Sequence, residues 1–324
     1  MIKVGLVGIG GMGMVHFNAY RRLNGAKVVA VADVRSDMAR EKAKDTDARI
    51  YATIDELLAN EECDMIDICT PSYLHTEMAK KALMAGCHVL CEKPMSISTE
   101  DTASVIELAK SCGKNFMTAH VVRFMKPYAY LRSVIESGEL GALVHLNMKR
   151  NSGIPKWSYE DWMRDIKKSG GTPFDLTIHD IDFAYSVFGE PIAVNGVYKE
   201  LRGDDRDYII SNLVYDGFTV TAIGGWYLES LDFSAGFYAI FEKGLIELRD
   251  GKVYKCKELV ALPESDDSDE DTGINLPRAE GYTDEIKYFI DCIEKGVSPS
   301  FVTPESSEGS VRLIERILEN SIKV

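Results

Sequence analysis

The chain has 324 residues, 45% of them hydrophobic, 27% charged and 9% aromatic. This excludes collagen-like, coiled-coil and low-complexity classes, and it is too apolar for a disordered chain. Fifty-one acidic residues against 37 basic ones give a formal charge of −14, a surface that repels phosphate backbones and anionic lipid and argues against nucleic-acid or membrane partners.

At roughly 100–200 residues per domain the length predicts two domains, each large enough to bury a core without a metal or disulfide staple. The boundary is expected near residue 121, giving domains at 1–121 and 122–324. In the first, Ile2–Val7 reads as an apolar strand, Met12–Leu23 as a helix and Val28–Ala32 as a second strand. Strand-like Met65–Cys69, helical Glu77–Ala85, strand-like His88–Cys91, helical Glu100–Cys112 and strand-like Asn115–Ala119 follow. Continuous apolar runs alternating with helices predict a doubly wound parallel sheet with right-handed crossovers.

The pattern changes after residue 121. A helix over Pro127–Ser137 is followed by longer, more alternating runs at Leu143–Lys149, Ile192–Tyr198, Ile209–Tyr215, Thr219–Tyr227, Phe237–Phe241 and Gly244–Leu248. Turn signals such as Asp216-Gly217 and Asp250-Gly251 predict a large, mostly antiparallel sheet, with a helix over Phe174–Phe188 packed on it. Helical patterns return at 284–295 and 305–322, and the last helix is expected to return to the first domain. Glu264–Asp271 carries six carboxylates in eight residues and is expected to be a solvated loop, dispensable for chemistry.

The seven cysteines are odd in number and scattered, with no Cys-x-x-Cys. They predict free thiols in a reducing cytoplasm. The opening Met-Ile-Lys-Val-Gly-Leu-Val-Gly is expected to be a strand rather than a signal peptide, and no apolar run approaches the 18 or so residues of a membrane span. No metal-ligand spacing is apparent, so no metal is expected.

Gly8-Ile9-Gly10-Gly11-Met12-Gly13 is a G-x-G-x-x-G turn between the first strand and the first helix. Its glycines allow a tight turn, close approach of a pyrophosphate and close helix–strand packing, and the helix N-terminus offers N–H groups to phosphate. Asp33 lies 20 residues after Gly13, where a carboxylate accepts hydrogen bonds from ribose hydroxyls. An ionised Asp33 repels the 2′-phosphate of NADP, so NAD is expected. Arg35 can pair with that phosphate, which leaves NADP open as a second cofactor. A methyltransferase also uses a glycine-rich first loop and an acidic second-strand end and stands as a rival at this point.

Glu92-Lys93-Pro94 follows the strand-like run His88–Cys91, at the edge where open α/β sheets bind ligands. A helix beginning at Pro173 places Phe174, Ile178, Ile181, Tyr185 and Phe188 on one apolar stripe. Asp175, His179, Asp182 and Ser186 fall on the neighbouring stripe, so Asp175 and His179 stack one turn apart. Thr172 to Asp175 also reads as a capping box, which would give Asp175 a purely structural role. His16, His88, His120 and His145 are expected to be structural.

These motifs, taken in order, resemble the Gfo/Idh/MocA oxidoreductases, the family of glucose–fructose oxidoreductase and inositol dehydrogenase. The resemblance spans nearly the whole chain: the glycine turn, Thr70-Pro71-Ser72 with His75, Glu92-Lys93-Pro94, Arg123-Phe124, Trp162, Gly170-Gly171, Asp175 with His179, and Tyr282, Glu285 and Phe289. One departure is Thr172-Pro173, where the family commonly continues its glycines. The resemblance implies an NAD(P)-dependent dehydrogenase acting on a secondary hydroxyl of a sugar, cyclitol or related polyol, assembled as a dimer or tetramer. It implies catalytic roles for Lys93, Asp175 and His179. A cofactor site is expected from Gly8, Ile9, Gly10, Gly11, Met12, Gly13, Asp33, Arg35, Thr70, Pro71, His75, Glu92 and Lys93. A redox-assisted glycosidase or lyase of the same superfamily and a non-catalytic NAD-binding regulator remain as alternatives.

Overall fold

A computed structural model describes residues 1–156, 158–201, 206–228, 231–263 and 281–324. The acidic segment Glu264–Asp271 lies outside the described residues. The chain forms two compact units, one from Met1–Val121 with residues 281–308 and one from residues 122–263 with Gly309–Val324.

The first unit alternates β1 (Ile2–Val7), α1 (Gly11–Arg22), β2 (Ala26–Ala32), α2 (Ser36–Ala43), β3 (Arg49–Tyr51), α3 (Ile54–Asn60), β4 (Met65–Ile68), α4 (His75–Met84), β5 (His88–Glu92), α5 (Thr99–Cys112) and β6 (Phe116–Ala119). All six strands are parallel, in the order β3-β2-β1-β4-β5-β6. β4 and β6 are buried at every position, which is why they read as unbroken apolar runs. Ile66, Ile68, Val89 and Cys91 pack with Leu57, Ala79, Ala82 and Val105 from the helices into one core. The elements α2, β3 and α3 escape the periodicity reading. α2 buries only Ala39 and Ala43 among charged neighbours, and β3 is a three-residue edge strand.

The second unit contains α6 (Lys126–Ser137), β7 (Leu143–Gly153), α7 (Ile166–Ser169), α8 (Ile178–Phe188), β8 (Ala193–Lys199), β9 (Tyr208–Val214), β10 (Thr219–Tyr227), β11 (Ser234–Phe241), β12 (Gly244–Arg249), β13 (Lys252–Lys255) and β14 (Glu258–Leu259). α9 (Tyr282–Lys295) belongs to the first unit and packs on α1. Its buried Tyr282, Glu285, Ile286, Phe289 and Ile290 repeat at helical spacing. α10 (Pro304–Glu319) follows, and β15 (Ser321–Lys323) joins the second unit's sheet. That sheet has nine strands in the order β14-β13-β12-β11-β7-β10-β9-β8-β15. It is antiparallel except for the β7–β10 and β8–β15 pairs. Burial alternates along β9, as expected for strands with one covered face. The parallel Rossmann sheet and the second, mostly antiparallel sheet are the fold expected from the sequence.

Candidate active site

Strand order in the first unit reverses between β1 and β4, and the crevice at the carboxyl ends of such strands is the ligand site of doubly wound sheets. The expected cofactor residues lie at that edge: Gly8 follows β1, Asp33 follows β2, Thr70 and Pro71 follow β4, and Glu92 ends β5 with Lys93 after it. Gly8 has φ +88°, and a Cβ there would lie 2.7 Å from the Cys69 carbonyl oxygen. A Cβ on Gly13 would sit 2.1 Å from the Gly8 carbonyl oxygen. Gly10 is different, because its Cβ would meet only the Arg35 guanidinium, at 3.7 Å. Two glycines thus close the turn on itself, and the third leaves backbone open for a pyrophosphate. Gly13→Ala is therefore expected to lower NAD affinity at least about tenfold, or ~1.4 kcal/mol. Calorimetric titration checks this, and unchanged affinity would remove the turn from the site.

Asp33 is buried and ties this edge together. Its Oδ2 accepts from the Ile9 N–H at 3.0 Å, and its Oδ1 accepts from the Arg35 N–H at 2.9 Å and from Arg35 Nε at 3.2 Å. The carboxylate therefore braces the glycine turn. Lys42 on α2 supports the same turn, donating to the Ile9 carbonyl at 2.8 Å and the Gly10 carbonyl at 3.4 Å. Burial, followed by the neighbouring Arg35 charge, holds its pKa below that of a free lysine. Lys42 was not a sequence candidate, because α2 carries too little periodicity to place it.

His75 is buried, with Nδ1 2.8 Å from the Pro94 carbonyl and Nε2 2.8 Å from the Thr70 carbonyl. Its ring links the corner after β4 to the corner after β5, and burial pulls its pKa below the usual histidine range. Glu92 is also buried, and its Oε2 accepts the Lys93 backbone N–H at 2.9 Å. Lys93 is half-buried and begins the turn at the end of β5. His75 and Glu92 thus act inside the protein, setting the backbone on which Thr70 and Lys93 stand.

In the second unit, Gly170 and Gly171 have φ of +74° and +70°, a region that glycine enters without strain. The helix expected from Pro173 opens as one wide π-type turn over Pro173–Thr177 before α8 begins. Wide turns of this kind recur at functional sites. The expected capping box does not form. Thr172 has helical dihedrals, and its hydroxyl donates to the Asp207 carbonyl at 3.0 Å. Asp175 is half-buried on the wide turn, and His179 follows it in the first turn of α8, also half-buried.

The expected stripes are recognisable beyond that point. Phe174, Ile178 and Ile181 are buried. Asp182 accepts from Arg123 Nε at 2.8 Å and Nη2 at 2.6 Å, and from the Ser310 hydroxyl at 2.9 Å. Ser186 accepts from Arg132 at 2.6 Å. On the opposite register, Asp180 accepts from Arg150 Nε at 3.0 Å, and burial pushes its carboxyl up to about 6. Arg150 Nη2 also donates to the Tyr128 hydroxyl at 2.8 Å. Asp180 and Asp182 hold α8 in place through Arg150 and Arg123.

Comparison with known proteins identifies the family. Residues 2–120 match the Gfo/Idh/MocA model described as "Oxidoreductase family, NAD-binding Rossmann fold", and residues 128–247 match the family's C-terminal domain model. The inositol 2-dehydrogenase of Rhizobium meliloti is 28% identical over 96% of this chain and 94% of its own length. The 2,7-anhydro-N-acetylneuraminate hydratase of Escherichia coli is 30% identical, over 59% of this chain and 50% of its own length. The aligned stretch spans only 50% to 66% of the length of several curated relatives. Among solved structures, a myo-inositol dehydrogenase from Corynebacterium glutamicum superposes with a TM-score of 0.80 at 22% identity, covering 99% of this chain and 96% of that one. With both domain models matched in order and the glycine turn, Asp33 and Lys93 at one sheet edge, this chain belongs to the Gfo/Idh/MocA family of NAD-binding oxidoreductases.

Proposed function

We propose that the protein is an NAD-dependent dehydrogenase that oxidises a secondary hydroxyl of a sugar, cyclitol or related polyol. The observation that carries this reading is Lys93 at the carboxyl end of β5, on the same sheet edge as the glycine turn and Asp33. When bound, NAD accepts the hydride from the carbinol carbon. The hydroxyl proton must leave as well, and a secondary alcohol is a poor acid near neutrality. His179 is assigned as the base that takes it, with Asp175 orienting the imidazole. The Lys93 ammonium donates to the reacting oxygen and stabilises the negative charge that develops there. Both groups can relay protons, so the exchange of these two roles belongs to the same reading. Absorbance of NADH across a panel of cyclitols, aldoses, sugar phosphates, uronates and glycosides tests it. Silence across the whole panel would count against a dehydrogenase.

NAD is the preferred cofactor in this reading, because Asp33 stands at the ribose-hydroxyl position. Asp33→Asn keeps an acceptor for the Ile9 N–H and removes the charge. It should weaken NAD binding and narrow the preference over NADP by about tenfold. Parallel titrations of the two cofactors check this, and an unchanged ratio would take Asp33 out of cofactor selection.

A second reading is a lyase or hydratase that oxidises the sugar transiently and returns the hydride. The similarity to the hydratase favours it. Substrate turnover with no net NADH would select it. The seven cysteines are all free, which supports a reducing, cytoplasmic setting. We also place a second copy of the chain on the nine-stranded sheet, where Tyr238 and Ile240 of β11 are exposed. A monomer in sedimentation would exclude that contact.

A further inference from the structure

The first unit buries a cluster of ionisable groups that the proposed reaction does not use. His16 on α1 is fully buried. Its Nδ1 lies 2.8 Å from Asp67 Oδ2 on β4, and its Nε2 lies 3.1 Å from Glu92 Oε1 at the end of β5. Tyr20, one turn further along α1, donates its hydroxyl to the same Asp67 oxygen at 2.9 Å. The Cys69 thiol donates to Asp67 Oδ1 at 3.6 Å. The second oxygen of Glu92 receives the Lys93 backbone N–H. A continuous path therefore runs from Asp67 through the His16 ring and Glu92 to Lys93.

The protonation state of the ring follows from its partners. Ionised carboxylates only accept, and a neutral imidazole has one N–H and one lone pair. A neutral ring would set its lone pair against one carboxylate, whereas an imidazolium satisfies both. The charges act in the same direction. Burial disfavours the cation, but the Asp67 carboxylate beside the ring outweighs it and holds the His16 pKa above the usual range. Burial raises Glu92, and His16 and Lys93 more than reverse this, so Glu92 stays ionised. The remaining groups around the ring are Tyr20 on α1, Cys69 after β4, Cys91 on β5 and Tyr282 on α9, with Glu285 of α9 acting on Tyr20. Burial pushes Tyr20, Cys69 and Cys91 upward, so these three are neutral near pH 7.

Such a cluster is a poor way to hold α1, β4 and β5 together, because an apolar set of similar volume would serve as well or better. What it does that apolar groups cannot is fix a carboxylate in one orientation. We propose that His16 is a positioning residue for Lys93: clamped between Asp67 and Glu92, it fixes the carboxylate that holds the Lys93 backbone N–H. The proposal rests on the reading of Lys93 as a catalytic group. Displacing a catalytic group by about 1 Å can cost on the order of 100-fold in rate.

The test uses the full chain and no substrate. With ¹⁵N-labelled histidine, long-range ¹H–¹⁵N spectra should show the His16 ring protonated on both nitrogens at neutral pH, where a free histidine is mostly neutral. That signal should vanish in His16→Gln. In the same variant, hydrogen exchange at the Lys93 amide should accelerate at least about tenfold, while amides of Leu146 and Met148 in the second unit keep their rates. Glu92→Gln should produce the same acceleration, and the double variant should add nothing further. Glu92→Gln also serves alone if His16→Gln does not fold. A neutral His16 ring at pH 7, or an unchanged Lys93 amide in a folded variant, would overturn the proposal. So would acceleration spread evenly over β4 and β5, which would mark a general brace. Full turnover in Lys93→Met with the amide effect intact would instead remove the catalytic reading of Lys93 and leave the clamp standing.

Discussion

Lys93→Met is expected to lower turnover by about 10²- to 10³-fold, the loss typical of removing one donor from a developing oxyanion, with the fold and NAD affinity retained. Methionine has similar reach and no charge. The backbone at this position is held by the Glu92 carboxylate through the main-chain N–H, which the substitution leaves in place. His179→Ala should cost a comparable factor, about 10²–10⁴, if the ring is a general base. Asp175→Asn separates chemistry from folding. Thr172 has helical dihedrals and its side chain caps no N–H, so Asp175 belongs to no Thr172 capping box. Its substitution should reduce kcat with little change in melting temperature. Steady-state kinetics and thermal melts on the three variants check this, and near-wild-type kcat in both Lys93→Met and His179→Ala would sink the mechanism.

Asp182→Ala is expected to cost about 3–5 kcal/mol of stability, the usual penalty for leaving one partner of a buried ion pair alone. Both side chains of the Arg123–Asp182 pair are almost wholly buried. The substitution removes two guanidinium bonds and the acceptor of the Ser310 hydroxyl at once. Asp182→Asn keeps one acceptor and should lose less. Denaturant unfolding of the second unit measures both, and a loss below about 1 kcal/mol for the alanine variant would mean that the pair merely offsets its own desolvation.

Much of the first unit is legible in the sequence because buried parallel strands must be apolar throughout. Ile2–Val7 is read to the residue, and the glycine turn follows it directly. The same logic misses α2 and β3, which bury little, and with α2 it misses Lys42. Asp175 and His179 were placed on one face by assuming an α-helical repeat from Pro173. The wide turn over Pro173–Thr177 changes the spacing at the start, and no propensity at Phe174 or Leu176 announces it. Asp182 looked like a neighbour in the same polar stripe. Its partner Arg123 lies 59 residues away in sequence, a separation no local pattern reports. In the sequence His16 is one histidine on the first helix, expected to be structural. Its importance lies in Asp67 and Glu92, contributed by two other strands, and only the folded sheet brings the three together.

Hydride transfer from a carbinol carbon to NAD is tested by incubating the protein with NAD and polyols deuterated at their carbinol carbons, then determining deuterium in the nicotinamide ring by mass spectrometry. Deuterated NADH is expected in step with ketone for at least one polyol, with a sharp fall in both for Lys93→Met. Product formed with no deuterium ever reaching the nicotinamide would contradict hydride transfer to NAD.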